Sequence, residues 1–318
     1  MNVRVALGVA SMLVAVGITG AQAQAPQPSD PLLGRWDLVV QRGAQTSPSW
    51  LEVERSGTAT LVGQFVGSGG SARPIAKIEF ADGAFKFAIP PQWDSNPKDI
   101  TFEGRLEAGR ITGSMTMGDG QVLTWTGTRA PSLRRAAKPV YGAPVALLGT
   151  ASLDGWKPFG RGESQWSVKD GVLINAKSGA NLMTERTFDD FKLHVEFRVP
   201  KGSNSGIYLR GRHELQIDDA FGLEPSSHHL GGLYGFIAPS EAAAKAAGEW
   251  QTMDVTLTGR MLTLTLNGVT VICNREIPGI TGGALDSREG EPGPLYLQGD
   301  HGPVEYRNIV ITPALTAR

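Results

Sequence analysis

The sequence predicts an all-β protein, and three observations carry that expectation. First, apolar and polar residues alternate with period two. Leu193, Val195, Phe197 and Val199 share one face of an extended segment, and His194, Glu196 and Arg198 share the other, as in a half-buried strand. Leu262, Leu264 and Leu266 repeat the pattern before Asn267-Gly268, after which Val269 and Val271 resume it; Asn-Gly between two such runs signals a type I′ hairpin. Second, the 41 glycines and 20 prolines punctuate these runs rather than dominate the composition. Third, helical signals are confined to one short segment, with Ser240 as N-cap, an Ala-rich turn from Glu241 to Ala247 and Gly248 just past its end.

Taken in order, the chain opens on an expected export signal over residues 1–23. Arg4 supplies the charged start, Val5 to Ile18 is nearly all apolar, and Ala21-Gln22-Ala23 fits a cleavage site. Removing 23 of 318 residues leaves 295, enough for about two domains at roughly 150 residues each. The expected location is therefore periplasmic or secreted. Residues 30–128 hold about eight short alternating runs: 36–40, 51–53, 60–66, 75–80, 85–89, 100–106, 111–117 and 122–126. Asp82-Gly83 and Asp119-Gly120 supply hairpin turns. Strands at this spacing suit an up-and-down barrel or a small sandwich. The tripeptide Gly34-Arg35-Trp36 resembles the G-x-W of lipocalin-like barrels, so a β-barrel-like first domain is expected. Residues 129–144, proline-rich and basic, read as a linker. A second domain spans 145–314.

Composition excludes several classes. The formal charge is −1, with no basic excess for nucleic acid and no polybasic segment for a membrane surface; neither nucleic-acid binding nor membrane insertion is expected. The single cysteine, Cys273, has no internal disulfide partner, and its Val271-Ile272 approach reads as strand packing. The glycine cluster Gly67 to Gly70 lacks the Lys-Ser/Thr and helix of a phosphate loop. No G-x-S-x-G elbow supports serine-hydrolase chemistry.

The candidate site begins at Asn204. In a strand running on from Ile207 without a bulge, Tyr208, Arg210, Arg212, Glu214, Gln216 and Asp218 share one face, opposite Ile207, Leu209, Leu215 and Ile217. By pattern alone this face is either a ligand-bearing sheet or a solvated one, on which Arg210 and Glu214 pair at little energetic gain. The pairing of two ionisable segments is more telling. NSGIYLRGRHELQIDD, from Asn204 to Asp219, and LQGDHGPVEYRNI, from Leu297 to Ile309, each place titratable groups beside turn residues on a β-scaffold.

With SLDGWKPFG, QWSVKDGVLI, FDDFKLHVEFRVPKG, GGLYGFIAP and GEWQTMDVTLTGRMLTLTLNGV, these segments run in the order of the signatures of the 3-keto-disaccharide hydrolase family. The resemblance covers about Leu147 to Pro313. It implies a concanavalin-like jelly roll and cleavage of glycosides oxidised at C3. A C3 ketone acidifies the C2 hydrogen, so a base removes it, the enediolate expels the group at C1, and water adds back. Such a site needs a base, an acid near the leaving oxygen, and positive charge near the enediolate; an ordinary glycosidase instead sets two carboxylates about an oxocarbenium ion.

Carried onto this sequence, the resemblance implies roles for particular residues. Glu214 and Gln216 match the Glu and Gln of the family's Y-E-V-Q-type motif, and Asp219 its Asp. His213 stands where the family has an aromatic, and Asp218 where it has an apolar residue. Glu214, Gln216 and Asp219 offer oxygen ligands to a divalent ion, Ca²⁺ or Mg²⁺; Glu214 serves equally as the base. His301, in Gly299-Asp300-His301-Gly302, suits proton transfer near neutrality, with Gln298 orienting it or a sugar hydroxyl. Arg210, Asn204 and Gln216 are expected at the substrate, and Tyr234 and Trp250 either stack on a sugar ring or pack in the core. The adjacent His228 and His229 point apart on an extended chain and make a poor clamp. No organic cofactor is expected. The alternative is a non-catalytic, lectin-like carbohydrate-binding module on the same sheet.

Overall fold

A computed structural model describes residues 31–91 and 97–315; the export signal expected over residues 1–23 lies outside them. The described chain is built of strands, in agreement with the all-β expectation. β1 (Gly34–Arg42), β2 (Gln45–Ser56), β3 (Thr60–Val66) and β4 (Arg73–Ala81) are followed by β5 (Ala84–Ile89), β6 (Ile100–Glu107), β7 (Arg110–Thr116) and β8 (Val122–Arg129). These eight strands close into an up-and-down antiparallel barrel, β8 pairing back onto β1. Alternation along each strand fills the interior with Trp36, Leu38, Leu51, Phe65, Ile75, Phe102 and Trp125. Asp82 and Gly83 both adopt the left-handed conformation that a two-residue hairpin demands.

The second domain is a sandwich. Its strands are β9 (Val145–Ala146), β10 (Trp156–Phe159), β11 (Trp166–Lys169), β12 (Val172–Asn175), β13 (Asn181–Phe188) and β14 (Phe191–Arg198). They continue as β15 (Asn204–Leu209), β16 (His213–Asp218), β17 (Gln251–Thr258), β18 (Met261–Leu266), β19 (Val269–Glu276), β20 (Gly293–Leu297) and β21 (Val304–Pro313). One sheet has the order β10-β13-β20-β15-β16 and the other β11-β12-β21-β14-β17-β18-β19, with β9 beside β21. One apolar core joins them: Leu193, Val195 and Phe197 from β14 belong to the same cluster as Ile207, Leu209, Leu215 and Ile217 from β15 and β16. Asn267-Gly268 forms the expected left-handed turn between β18 and β19.

Two expectations are corrected. The strand read as continuous from Ile207 to Asp218 is a hairpin, β15 and β16, turning at Arg210-Gly211-Arg212. Arg210 (φ 52°) and Gly211 (φ 68°) are left-handed there. Buried bonds hold the turn: Arg210 donates to the Gly259 carbonyl at 2.5 Å, and Arg212 to Asp286 at 2.7 Å. The second correction is the helix expected over 241–247, which does not form. So short a helix is marginal alone, and neighbouring side chains claim its backbone. Gln251 Oε1 accepts from Lys245 N, Glu249 accepts from Ala246 N, and Asn267 Nδ2 donates to the Ala243 carbonyl.

The connecting segment lies along the sandwich. Arg135 bridges Asp189 and Asp190 at 2.6–2.9 Å, and Arg260 donates to the Pro131 carbonyl. Barrel and sandwich also meet directly. Trp50, on the outside of β2, is fully buried against Phe236, Ile280 and Ala284. Ser287 Oγ donates to the Leu38 carbonyl at 2.5 Å, and Arg35 pairs with Glu276.

Candidate active site

The face of β15, β16 and β20 turned away from the core carries the site. Its floor follows from register: Asn204 lies opposite Asp218, Gly206 opposite Gln216, and Tyr208 opposite Glu214. On β20 the core positions Leu295 and Leu297 alternate with Tyr296 and Gln298, so Tyr296 stacks flat on Tyr208 at 4.1 Å between centroids. Phe159 meets the far edge of Tyr296. Gly206 has no side chain at the centre of this surface, and Glu214 fills the gap. A methyl on Gly206 would lie 2.5 Å from Glu214 Oε1.

Glu214 is 4% exposed. Its Oε2 lies 2.8 Å from the Tyr208 hydroxyl, which is also 2.9 Å from the Gly282 carbonyl. One phenolic proton serves only one of those acceptors at a time. When Glu214 is ionised, the Tyr208 proton satisfies it; when Glu214 is protonated, its own O–H donates to the tyrosine oxygen and Tyr208 turns to Gly282. Burial pushes the Glu214 carboxyl up to about 8, against the opposing pull of the Tyr208 hydrogen bond and the His301 charge; the charge of Asp300 adds to the rise. Desolvation disfavours the ionised form, and it leaves this group poised near neutrality.

His301 is half exposed on the loop between β20 and β21, its Nδ1 2.7 Å from Asp300 Oδ1. The Asp300 hydrogen bond raises the imidazole above its ordinary value despite burial, helped by the charges of Asp300 and Glu214. Asp300 is correspondingly lowered, chiefly by His301. The loop is built to hold this pair. Buried Asn175 donates to the carbonyls of both Gly299 and Gly302 at 3.0 and 2.9 Å, Asn181 accepts from Gly299 N, and Ser178 donates to the Asp300 carbonyl.

The amides complete the surface. Gln216 Nε2 reaches toward Asn204 Oδ1 at 3.4 Å, a weak contact. Gln298, tied to Gly206 through its backbone N–H, has a buried Oε1 with no partner among the described residues. Tyr234 donates its N–H to the Glu214 carbonyl and meets His228 edge-on at 5.2 Å. His229 pairs with Asp218 at 2.8 Å.

Other candidates lie elsewhere. Arg210 is fully buried, and the charges that act on it are those of Asp189, Glu289, Asp190 and Arg212. His213 faces inward to the Gly279 carbonyl and is held neutral by burial and the surrounding arginines. Trp250 lies beneath the guanidinium groups of Arg307 and Arg198 on the larger sheet. Asp219 accepts from Gly202 N at 3.0 Å and so closes the turn before β15. Asp219 is thus engaged at the turn, and Glu214 at Tyr208. Among the described residues no three His, Cys, Asp or Glu converge as a ligand set. Sequence reasoning missed Asp300 and Tyr296 as site residues. The alternation of Leu295 and Leu297 was the signal that placed Tyr296 beside Gln298; Asp300 carried none beyond adjacency to His301.

A "3-keto-disaccharide hydrolase" of Bacteroides thetaiotaomicron is 26% identical over 85 residues, 23% of this chain. That match spans 29% of the relative's length. Among solved structures, a protein from Parabacteroides distasonis named provisionally as a glycosyl hydrolase is 24% identical, with a TM-score of 0.45 over 57% of this chain and 96% of its own. The CBM66 carbohydrate-binding module of Bacillus subtilis is 10% identical, with a TM-score of 0.32 over 50% of this chain and 95% of its own. The model of the 3-keto-alpha-glucoside-1,2-lyase-like domain matches residues 144–312, just over half of the chain and the whole of the site described above. The chain belongs to the 3-keto-alpha-glucoside-1,2-lyase-like domain family.

Proposed function

We propose that the sandwich domain cleaves glycosidic bonds of sugars oxidised at C3, by elimination followed by hydration. The observation that carries this reading is the pairing of a buried carboxyl poised at about 8 with a half-exposed, Asp300-bound imidazole held above its usual range. Glu214 on β16 and His301 on the β20–β21 loop differ in exposure, and each is among the charges that act on the other. Glu214 takes the C2 proton, and the C–H electrons pass into the enediolate. As the C3 carbonyl re-forms, a C1–C2 double bond develops and the C1–O bond breaks. His301 gives its proton to the departing oxygen. Water then adds across the C1–C2 double bond: His301 takes one of its protons as the hydroxyl bonds to C1, and Glu214 returns its proton to C2. General acid and base groups of this kind each contribute about 10²–10⁴-fold.

The amides of Asn204, Gln216 and Gln298 bind ring hydroxyls, Gln298 Oε1 being the acceptor that lacks a protein donor. Tyr234, half-buried beside Glu214, borders the sugar. Glu214, Gln216 and Asp219 would be the oxygen ligands of a divalent ion, and no step is routed through it. The protein acts outside the cytoplasm, a reading supported by the sequence of residues 1–23 alone.

The test is release of nitrophenol from a 3-keto nitrophenyl glucoside beside the unoxidised glucoside. Turnover of the keto form alone is the expected result, and loss of turnover in EDTA would assign a divalent ion to the site. Saturable binding of either sugar without turnover would instead make this domain a lectin-like module.

A further inference from the structure

We propose that the barrel is a positioning domain for Glu214: through Trp50 it braces two loops that hold the open edge of β16, the strand carrying that carboxyl. The inference rests on the reading of Glu214 as the base. β16 is the last strand of its sheet, and an edge strand leaves a row of backbone N–H and C=O groups without ladder partners. Those of Glu214 are met by loops instead. Its N–H donates to Thr281 Oγ1 at 3.0 Å, and its carbonyl accepts from Tyr234 N at 2.9 Å. The first of these loops also meets the side-chain end of the site. Its Gly282 carbonyl lies 2.9 Å from the Tyr208 hydroxyl, which reaches Glu214 Oε2 at 2.8 Å.

The far side of both loops rests on the barrel. Gly279 packs so closely on the Trp50 indole that any side chain there would collide with the ring. Ile280, Ala284 and Phe236 pack around the same indole, Phe236 edge-on at 5.5 Å between centroids. A side chain on Gly282 would strike the Gly70 carbonyl, and Gly283 N donates to the Ser68 carbonyl at 3.1 Å. Gly235, next to Tyr234, lies against Ser71 in the same way. Each loop is thus a thin splint with the barrel on one side and Glu214 on the other. A misplacement of about 1 Å in a reacting group costs on the order of 10²-fold. The amides assigned to the sugar, Asn204 and Gln298, stand on or beside β15 and β20 rather than on these loops. Loosening the splints therefore acts on turnover more than on sugar binding.

The test compares Trp50→Ala, Trp50→Phe and Arg35→Gln in the full chain, by amide hydrogen exchange and by steady-state kinetics on the 3-keto nitrophenyl glucoside. Trp50→Ala is expected to speed exchange at Glu214 and Tyr234 at least tenfold while β14 and β17 exchange as in the parent. It is expected to lower kcat at least tenfold with KM little changed. Trp50→Phe, which keeps a ring against Phe236, is expected to recover most of both. Arg35→Gln cuts the interface ion pair to Glu276 on β19, in the other sheet, and is expected to match the parent in both. Unchanged exchange at Glu214 and Tyr234 in Trp50→Ala overturns the proposal, as does an equal loss of kcat in Arg35→Gln. Ile280→Ala opens the same contact from the sandwich side and decides the question should Trp50→Ala fail to fold. Exchange needs no substrate, so a parent without turnover sinks the hydrolase reading while the exchange comparison still decides the bracing.

Discussion

At the residue scale the behaviour of Glu214 follows from its burial. Its folded pKa of about 8 lies above the ordinary 4.5, so between those values the native state holds a proton that the unfolded chain has lost. Stability therefore falls as pH rises through that window. Glu214→Gln keeps the shape and removes the titration. Its melting temperature is expected to match the parent near pH 5 and exceed it by several degrees above pH 8, a gain of the order of a few kcal/mol. The same variant is expected to lose about 10²–10⁴-fold in keto-glycoside turnover, so the residue costs stability where it supplies chemistry. His301 gives a companion test. Asp300→Asn removes the main cause of its raised pKa, and the alkaline limb of the pH–rate profile should move to lower pH, as should the imidazole titration followed by NMR. Alternation and the family resemblance both pointed to Glu214 in the sequence, whereas Gln298 and His301 were named from the resemblance alone. Tyr208 was legible as a face residue but not as the hydroxyl that trades its proton between Glu214 and Gly282, since Gly282 comes from a distant loop.

At the element scale the hairpin β15–β16 shows what alternation can and cannot say. Period two placed Tyr208, Glu214 and Gln216 on one face, and the structure keeps them there. It could not place Arg210, because a turn resets the phase. The signal was Gly211, which at φ 68° takes a conformation that disfavours a side chain. Buried bonds from Arg210 and Arg212 to distant segments then settled the turn. The opposite error arose at 241–247, where a good helical composition lost to partners offered by β17 and the β18–β19 turn. Gly206 ties the element to the chemistry. Gly206→Ala has no positive φ to strain, yet its methyl would sit 2.5 Å from Glu214 Oε1 and displace the carboxyl from Tyr208. Activity is expected to fall at least tenfold with KM little changed. Steady-state kinetics beside a thermal melt separates this loss from general destabilisation.

At the scale of the whole molecule, the two domains were legible as two runs of strand signals, but the bond between them was not. It depends on groups more than two hundred residues apart. Glu289 is fully buried in the sandwich, held by both Arg260 nitrogens at 2.7 Å. Asp37 of β1 comes close enough for the Glu289 charge to act on it. Two carboxyls so placed cannot both ionise cheaply, and burial first, then Glu289, lifts Asp37 to about 9. Glu289 stays paired with Arg260, and Asp37 is protonated and so neutral at pH 7. The sign follows as for Glu214: the interface is intact while Asp37 is protonated and loses stability as pH rises toward and through about 9. Asp37→Asn supplies a donor that does not titrate. Its melting temperature should equal the parent's near pH 4 and exceed it by a margin that grows up to about pH 9, and the gain should persist in a Glu214→Gln background, because that carboxyl is not among the charges acting on Asp37. Equal melting of Asp37→Asn and parent at both pH values would mean that Asp37 ionises freely and that the barrel is held by Trp50, Ser287 and the apolar contact alone.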